Sequence, residues 1–115
     1  MGERVAIVGS RGFKVLERVE EYVRWLPDGT VVISGGAYGV DQAAARAARA
    51  RGLEVVEILP QWGKYGRFAA LHRNGEIAAA CDRMVAFWDG KSRGTWDSIL
   101  KARALGKRVD EKGPV

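Results

Sequence analysis

Short apolar runs alternate along the chain with segments of helical periodicity. Apolar runs that stop at glycine, proline or aspartate are typical of buried strands in a parallel sheet. Such runs predict strands at Arg4–Val8, Thr30–Ile33, Leu53–Leu59 and Arg83–Trp88, with a short last strand at Lys107–Asp110. Apolar residues spaced three and four apart predict helices between them. These helices are Phe13–Leu26, Val40–Arg51, Phe68–Ala80 and Thr95–Leu105.

The alternation of strand and helix determines the predicted fold class. Short connections between such elements imply a parallel sheet with right-handed crossovers and helices on both faces. We therefore predict a three-layer, Rossmann-like α/β fold, with Gln61–Arg67 as a loop and Glu111–Val115 as a frayed tail. Ligands of such sheets bind beyond the carboxyl ends of the strands, where the strand order reverses.

Composition fits one globular domain over residues 1–115. Hydrophobic residues make up 47% of the chain and charged residues 29%, which is close to the globular average. No apolar run is long enough to span a membrane or to form a signal peptide, so we expect a cytoplasmic protein. With one cysteine and one histidine, no internal disulfide can form and neither a metal nor a cofactor is expected.

Three loops predicted to lie at the carboxyl edge carry the candidate chemistry. They are Gly9–Gly12, Ser34–Asp41 and Asp89–Thr95. Glycines let a ligand approach the backbone, and the free N–H groups of a helix start attract anions. The net charge of +5 suits phosphorylated ligands as well as nucleic acid. The alternative interpretation is that these loops are only tight turns, with Ser10 as an ordinary helix cap.

Individual side chains in these loops suggest contacts to parts of a nucleotide. Arg11 could clamp a phosphate, and Asp41 could accept ribose hydroxyls or merely complement a helix dipole. Tyr38 or Trp62 could stack on a base. The candidate ligand-binding residues are Gly9, Ser10, Arg11, Ser34, Gly35, Gly36, Tyr38, Gly39, Asp41, Trp62, Arg73, Asn74, Gly94 and Thr95.

Taken together, these motifs resemble the SLOG superfamily, particularly its small bacterial members of the YspA-like type (DUF2493). The resemblance rests on Val5–Arg11, on S-G-G-A-x-G-x-D at Ser34–Asp41, on Arg73-Asn74 and on Gly94-Thr95, and it extends from Arg4 to Val109. The S-G-G-A-x-G-x-D element is shared with the DNA-processing protein DprA. The resemblance implies strand order 3-2-1-4-5 and a pocket over strands one, two and four. It also implies a bound nucleotide or nucleotide derivative that the domain senses or processes.

One departure from the superfamily concerns catalysis. Members that activate cytokinins cleave ribose 5′-monophosphate from a base and carry P-G-G-x-G-T-x-x-E, whose glutamate assists the cleavage. This chain keeps Gly94-Thr95, but Ser98 stands where the glutamate would be. The resemblance therefore does not establish an enzyme.

Three functions remain open at this point. The first is a sensor or binding domain for a nucleotide-derived molecule. The second is an N-glycosidic hydrolase with Asp41, Glu76 or Asp97 as acid or base. The third is a single-stranded DNA-binding module of DprA type that uses Trp62, Tyr65 and Trp96. Four tryptophans and an alanine-rich helical face (Ala43, Ala44, Ala47 and Ala48) also predict a homo-oligomer, with a dimer as the expected form.

Overall fold

The computed structural model describes residues 2–114, which form a five-stranded sheet flanked by helices. The strands are β1 (Arg4–Gly9), β2 (Val31–Ser34), β3 (Glu54–Glu57), β4 (Arg83–Phe87) and β5 (Arg108–Lys112). The helices are α1 (Leu16–Arg24), α2 (Val40–Ala50), α3 (Trp62–Tyr65), α4 (Ala69–Ala80) and α5 (Arg93–Ala104), and a 3-10 turn at Gly66–Phe68 joins α3 to α4. No helix within this part of the chain has the length and apolar character needed to span a bilayer.

All strand pairs are parallel, and the order across the sheet is β3-β2-β1-β4-β5. The predicted three-layer α/β fold and its strand order are therefore confirmed. From the central strand β1 the chain builds the sheet outwards to β2 and β3, and then returns to the other side of β1 for β4. The strand order thus reverses between β1 and β4, and this is the place where open α/β sheets form a crevice.

Alternating residues of the central strands serve two separate cores. Val5, Ile7 and Phe87 face the layer of α1 and α2, whereas Ala6 and Met84 face the layer of α4 and α5. This alternation follows from the period of two in a strand, which sends successive side chains to opposite faces. Both faces are apolar because helices cover both, as the near-continuous hydrophobic strands predicted.

The alanine-rich face of α2 is used inside the chain. Ala43, Ala44 and Ala48 are fully buried in the core beneath α1 and α2. Their small side chains let α2 approach α1 and the sheet closely, so they offer no free surface to a second copy. Trp25 and Trp62 remain exposed, at 77% and 58% of their surface. The dimer stays a prediction that rests on such exposed aromatic residues alone.

Several predicted boundaries are wrong at the amino-terminal half. Helix α1 begins at Leu16 rather than Phe13, because the Phe13 ring packs edge-on against Phe87 with centroids 5.5 Å apart. The Phe13 N–H donates to the Ser10 carbonyl at 3.1 Å, so Phe13 ends a turn that precedes the helix. Strand β3 covers only Glu54–Glu57 of the predicted Leu53–Leu59.

Two predictions in the carboxyl-terminal half also need correction. The segment Gln61–Arg67, predicted as a loop, contains α3 and most of the following 3-10 turn. Strand β5 continues to Lys112, so Glu111 and Lys112 belong to the sheet and not to a frayed tail. Glu111 and Lys112 pair in register with Ala86 and Phe87 of β4. Strand β5 is therefore longer than its polar sequence suggested.

Candidate functional site

A cavity of about 310 Å³ opens at the carboxyl edge of the sheet, beside the point where the strand order reverses. Segments distant in sequence meet there: the end of β1, the start of α2, one face of α4 and the loop into α5. The lining residues are Val8, Gly9, Arg11, Gly12, Ala37, Asp41, Ala70, Leu71, Arg73, Asn74, Ile77, Asp89, Ser92, Gly94, Thr95 and Ser98.

The loop after β1 is tied to the loop after β4 by Ser10. This side chain is buried; its Oγ lies 3.3 Å from Thr95 Oγ1 and accepts a hydrogen bond from the Asp89 N–H at 3.1 Å. Ser10 therefore braces the cavity wall and caps no helix. Because α1 begins only at Leu16, the expectation that a helix start follows directly on Gly9–Gly12 is wrong. Exposed Arg11 supplies the cation of this loop.

The start of α5 borders the cavity, which Ser92, Gly94 and Thr95 line. Ser92 caps the helix, and its Oγ accepts hydrogen bonds from the N–H and the hydroxyl of Thr95 at 3.3 and 3.2 Å. Within residues 2–114, the N–H groups of Arg93 and Gly94 donate to no acceptor. Free N–H groups at the first turn of a helix form a ready anion-binding element.

Hydrogen bonds to Asp89 order this loop and stabilise the ionised form of its carboxyl group. Its carboxylate accepts hydrogen bonds from the N–H groups of Lys91 and Ser92, both at 2.8 Å. These bonds favour the ionised form, so they lower the pKa of Asp89 below its ordinary value. The loop that leads into α5 is consequently preorganised before any ligand arrives.

A buried carboxyl group and a guanidinium meet on the opposite wall. Asp41, in the first turn of α2, is only 5% exposed. Burial raises the pKa of Asp41 to about 6, although a hydrogen bond from the Ala37 N–H at 3.2 Å and the nearby Arg73 charge oppose the rise. Burial also lowers the pKa of Arg73 below its ordinary value, and Asp41 opposes that shift. The cavity thus contains a carboxyl group that titrates close to neutral pH, which is a common property of functional sites.

Arg73 is held in place by neighbours on two elements. Its guanidinium donates to the Gly35 carbonyl and, through Nε, to Asn74 Oδ1 at 3.1 Å. Asn74 in turn donates through Nδ2 to the Gly94 carbonyl at 3.3 Å and to Asp97 at 3.1 Å. This chain of polar contacts links the loop after β2, helix α4 and the first turn of α5 around the cavity.

The glycines of these loops differ in the reason for their presence. A Cβ at Gly9 would lie 2.6 Å from the Phe87 carbonyl oxygen, and one at Gly35 would lie 2.8 Å from Asp41 Oδ2. Gly39 has φ of 92°, a conformation that other residues rarely adopt. A Cβ at Gly94, by contrast, would meet no atom within 4 Å. Packing and backbone geometry explain the first three glycines, whereas nothing in the fold requires the glycine at Gly94.

The structure brings half of the fourteen candidate residues to the cavity. The candidates that line it are Gly9, Arg11, Asp41, Arg73, Asn74, Gly94 and Thr95. Those outside its lining are Ser10, Ser34, Gly35, Gly36, Tyr38, Gly39 and Trp62. Ser34 is buried behind the wall, where its Oγ accepts from the Gly36 N–H and donates to the Asp41 carbonyl. Tyr38 and Trp62 are exposed beyond the cavity.

The three carboxylates considered as acid or base occupy different places. Asp41 lines the cavity. Glu76 lies outside it and pairs with His72 Nδ1 at 3.2 Å, one turn earlier on α4. Asp97 is also outside the lining and is held by Asn74 and by Lys101 Nζ at 2.8 Å. Of the three, the cavity geometry therefore places only Asp41 where it can meet a ligand.

Sequence reasoning missed several apolar wall residues. Ala70 and Ile77 line the cavity on the same face of α4 as Asn74. Their positions are separated by three or four residues, which places them on one face of a helix. Once Asn74 was assigned to a helix, this spacing could have predicted that Ala70 and Ile77 lie beside it. Ala37 and Asp89 lie within loops that the sequence did single out.

Comparison with known proteins identifies the family. The family model described as "YspA, cpYpsA-related SLOG family" matches residues 3–65, which contain the loops after β1 and β2. The chain is also 34% identical over 113 residues to the Gene 61 protein of Mycobacterium phage D29, with 90% of each chain covered. The chain belongs to the YspA, cpYpsA-related SLOG family. The suspected superfamily is thereby confirmed.

Solved structures similar to this SLOG-family chain include two DprA proteins. DprA of Streptococcus pneumoniae has a TM-score of 0.84 at 22% identity, with 96% of this chain and 50% of that chain covered. Helicobacter pylori DprA, solved to describe its single-stranded DNA binding mode, has a TM-score of 0.80 at 22% identity, with coverage of 95% and 64%. The chain thus spans half to two thirds of these DprA chains, and the likeness shows the fold.

A third similar structure, the structural-genomics target TM1055, has a TM-score of 0.72 at 27% identity. The match covers 93% of this chain and 72% of TM1055. The SLOG-family sheet therefore recurs in chains of different total length.

Proposed function

We propose that this protein binds a nucleotide or nucleotide-derived phosphorylated ligand in the cavity at the carboxyl edge, as a sensor or binding domain. The observation that carries the proposal is the conjunction of free N–H groups at Arg93 and Gly94 with the cation Arg11. Backbone donors at a helix start together with a guanidinium form a favourable environment for phosphate. A cavity of about 310 Å³ lies at the small end of ligand sites and suits a compact molecule.

Ser98 favours binding over catalysis at the start of α5. This residue stands where the phosphoribohydrolases carry glutamate, and its Oγ donates to the Gly94 carbonyl one turn earlier at 3.2 Å. It is buried and offers neither a carboxylate nor a free hydroxyl proton. A domain that binds the same class of ligand without cleaving it is consistent with this arrangement.

The phosphate part of the proposal is tested by replacing Arg11. Loss of one charged hydrogen bond costs about 1.5–3 kcal/mol, so Arg11→Ala should weaken binding roughly ten- to a hundredfold. Titration calorimetry and thermal shift with nucleoside monophosphates, ADP-ribose, ribose 5-phosphate and inorganic phosphate measure the effect.

Arg46→Ala is the matched control, because it removes the same charge from an exposed position on α2 outside the cavity. It should bind as the wild type does. The proposal is wrong if no phosphorylated compound binds the wild type, or if Arg11→Ala and Arg46→Ala behave alike.

An N-glycosidic hydrolase is the second candidate, and Asp41 is the observation in its favour. A carboxyl group with a pKa near 6 can exchange protons at neutral pH and act as a general acid or base. Incubating the protein with purine and pyrimidine nucleoside monophosphates and separating free bases by chromatography tests this candidate. Base release that disappears in Asp41→Asn would favour it over the sensor, and an absence of release in the wild type would rule it out for those nucleotides.

The third function open from the sequence, single-stranded DNA binding, depended on three aromatic rings. Tyr65 stacks on His72 with centroids 3.7 Å apart, and Trp96 stacks on Trp88 with centroids 4.9 Å apart. Of these rings, Trp62 alone is more than half exposed, at 58%. Stacking platforms for single strands use several available faces, so no specific observation here favours this function over the other two.

A further inference from the structure

Within residues 2–114, one carboxylate oxygen of Asp41 accepts no hydrogen bond of good geometry. We infer that Asp41 accepts a hydrogen bond from the 2-hydroxyl of a ribose, so that the cavity selects ribosyl phosphates over their 2-deoxy counterparts. This inference rests on the proposed function, since it assigns the sugar of the ligand whose phosphate is bound near Arg11 and the start of α5.

The two oxygens of Asp41 differ in their surroundings. Oδ2 accepts the hydrogen bond from the Ala37 N–H. Oδ1 accepts no hydrogen bond of good geometry within residues 2–114, although the N–H groups of Gly35 and Gly9 lie close enough to the carboxyl group to oppose the rise in its pKa. No side-chain oxygen or nitrogen in these residues is both fully buried and unpaired. Oδ1 must therefore keep some accessible surface, and Asp41 is among the residues that line the cavity. A buried acceptor left open in this way provides a site for a donor on a ligand.

Arg73 does not satisfy that oxygen. Its guanidinium lies near enough to oppose the rise in the Asp41 pKa, but it makes no direct ion pair with Asp41. Its donors point to the Gly35 carbonyl and to Asn74 Oδ1. Arg73 thus holds a charge beside the carboxyl group while leaving Oδ1 free. Oδ2 also packs closely against the Gly35 backbone, where a Cβ would lie only 2.8 Å from it.

A sugar hydroxyl is the donor that fits this acceptor best. The anion-binding donors lie on the α5 side of the cavity, and Asp41 lies on the α2 side. A second phosphate beside Asp41 would bring like charges together, whereas a hydroxyl donates its proton to the carboxylate. A nucleotide offers hydroxyl groups on the ribose next to its phosphate, and the 2′-hydroxyl is the group that deoxyribose lacks.

Glu76 is a carboxylate of α4 outside the cavity lining, and it serves as the matched control. It pairs with His72 on the same helix. Both Asp41→Asn and Glu76→Gln replace one carboxylate by its amide. Only the first is expected to change the choice between ribose and deoxyribose.

Calorimetric titration with ribose 5-phosphate, 2-deoxyribose 5-phosphate, AMP and 2′-deoxy-AMP tests the inference. A hydrogen bond to a charged acceptor corresponds to about a ten- to hundredfold change in affinity, so the wild type should prefer each ribosyl compound by that factor. Asp41→Asn should reduce the preference to within about threefold, and Glu76→Gln should retain it.

The outcomes separate this inference from the function on which it rests. Equal binding of the ribosyl and deoxyribosyl members overturns the inference and leaves phosphate binding intact. A preference that survives in Asp41→Asn also overturns it. If none of the four compounds binds, the proposed function fails and the inference fails with it. The wild-type comparison needs no variant, so it decides the question even if Asp41→Asn does not fold.

Discussion

Gly9→Ala is expected to destabilise the fold by about 3 kcal/mol, the upper part of the usual range for overpacking a core. The added methyl group would stand 2.6 Å from the Phe87 carbonyl oxygen and 2.7 Å from Val40 Cβ. Neither neighbour can move easily, because Phe87 is paired in the sheet and Val40 begins α2. Chemical denaturation followed by circular dichroism measures the loss.

Gly94→Ala is the matched variant in another loop, and it should behave in the opposite way. Its methyl group would meet open space, and Gly94 lies in the first turn of α5 without a positive φ. Alanine in a helix is favoured over glycine by up to about 1 kcal/mol, so stability should stay level or rise. Binding of phosphorylated ligands should nevertheless fall, because the methyl group occupies space beside the free N–H groups.

This pair distinguishes the two reasons for glycine in the loops. If Gly9→Ala is as stable as the wild type, the packing at the end of β1 can accommodate a methyl group and does not require glycine. If Gly94→Ala binds phosphorylated compounds normally, Gly94 does not define the ligand site and the anion must lie elsewhere in the cavity.

Much of the fold follows from sequence because the signals are local. The apolar strands and the periodic helices are readable within windows of about ten residues. Strand order came from resemblance to a family, since hydrophobic pattern alone does not say whether β2 and β4 both neighbour β1. The start of α1 was mispredicted because Phe13 is buried by Phe87, a contact between residues 74 positions apart.

The candidate site was predicted less completely, because it also depends on contacts between residues distant in sequence. Gly9, Arg11, Asp41 and Gly94 could be placed at the carboxyl edge from their positions after strands. The contact between Arg73 and the Gly35 carbonyl could not, since it joins residues separated by 38 positions. Likewise, a sequence shows that a loop is rich in glycine but does not show which glycine is crowded by neighbours.

The stability of the wild type should depend on pH through Asp41, by up to about 3 kcal/mol. Its pKa rises from 3.8 in the unfolded chain to about 6 in the fold, and each pKa unit corresponds to about 1.4 kcal/mol. Below pH 3.8 the carboxyl group of Asp41 is protonated in both the folded and the unfolded state, so no charge has to be buried on folding. As pH rises through the interval, the unfolded state ionises first, so the folded state loses stability until the upper value is passed.

Asp41→Asn removes this titration and isolates its contribution from those of other carboxylates. Asp82 and Asp89 have lowered pKa values because backbone N–H groups bond to them, and they contribute stability that is lost as pH falls. The variant keeps both. Its free energy of unfolding relative to the wild type should therefore rise by about 3 kcal/mol between about pH 3 and about pH 7.5.

Urea denaturation at intervals of pH measures this difference, with Glu76→Gln as a control that neutralises a carboxylate outside the cavity. If the free energies of unfolding of Asp41→Asn and the wild type change in parallel with pH, folding does not raise the pKa of Asp41. The expected result bears on function, because residues that lower stability are common at functional sites. If Asp41→Asn is more stable at neutral pH but loses the preference for ribose, the same carboxylate accounts for both effects.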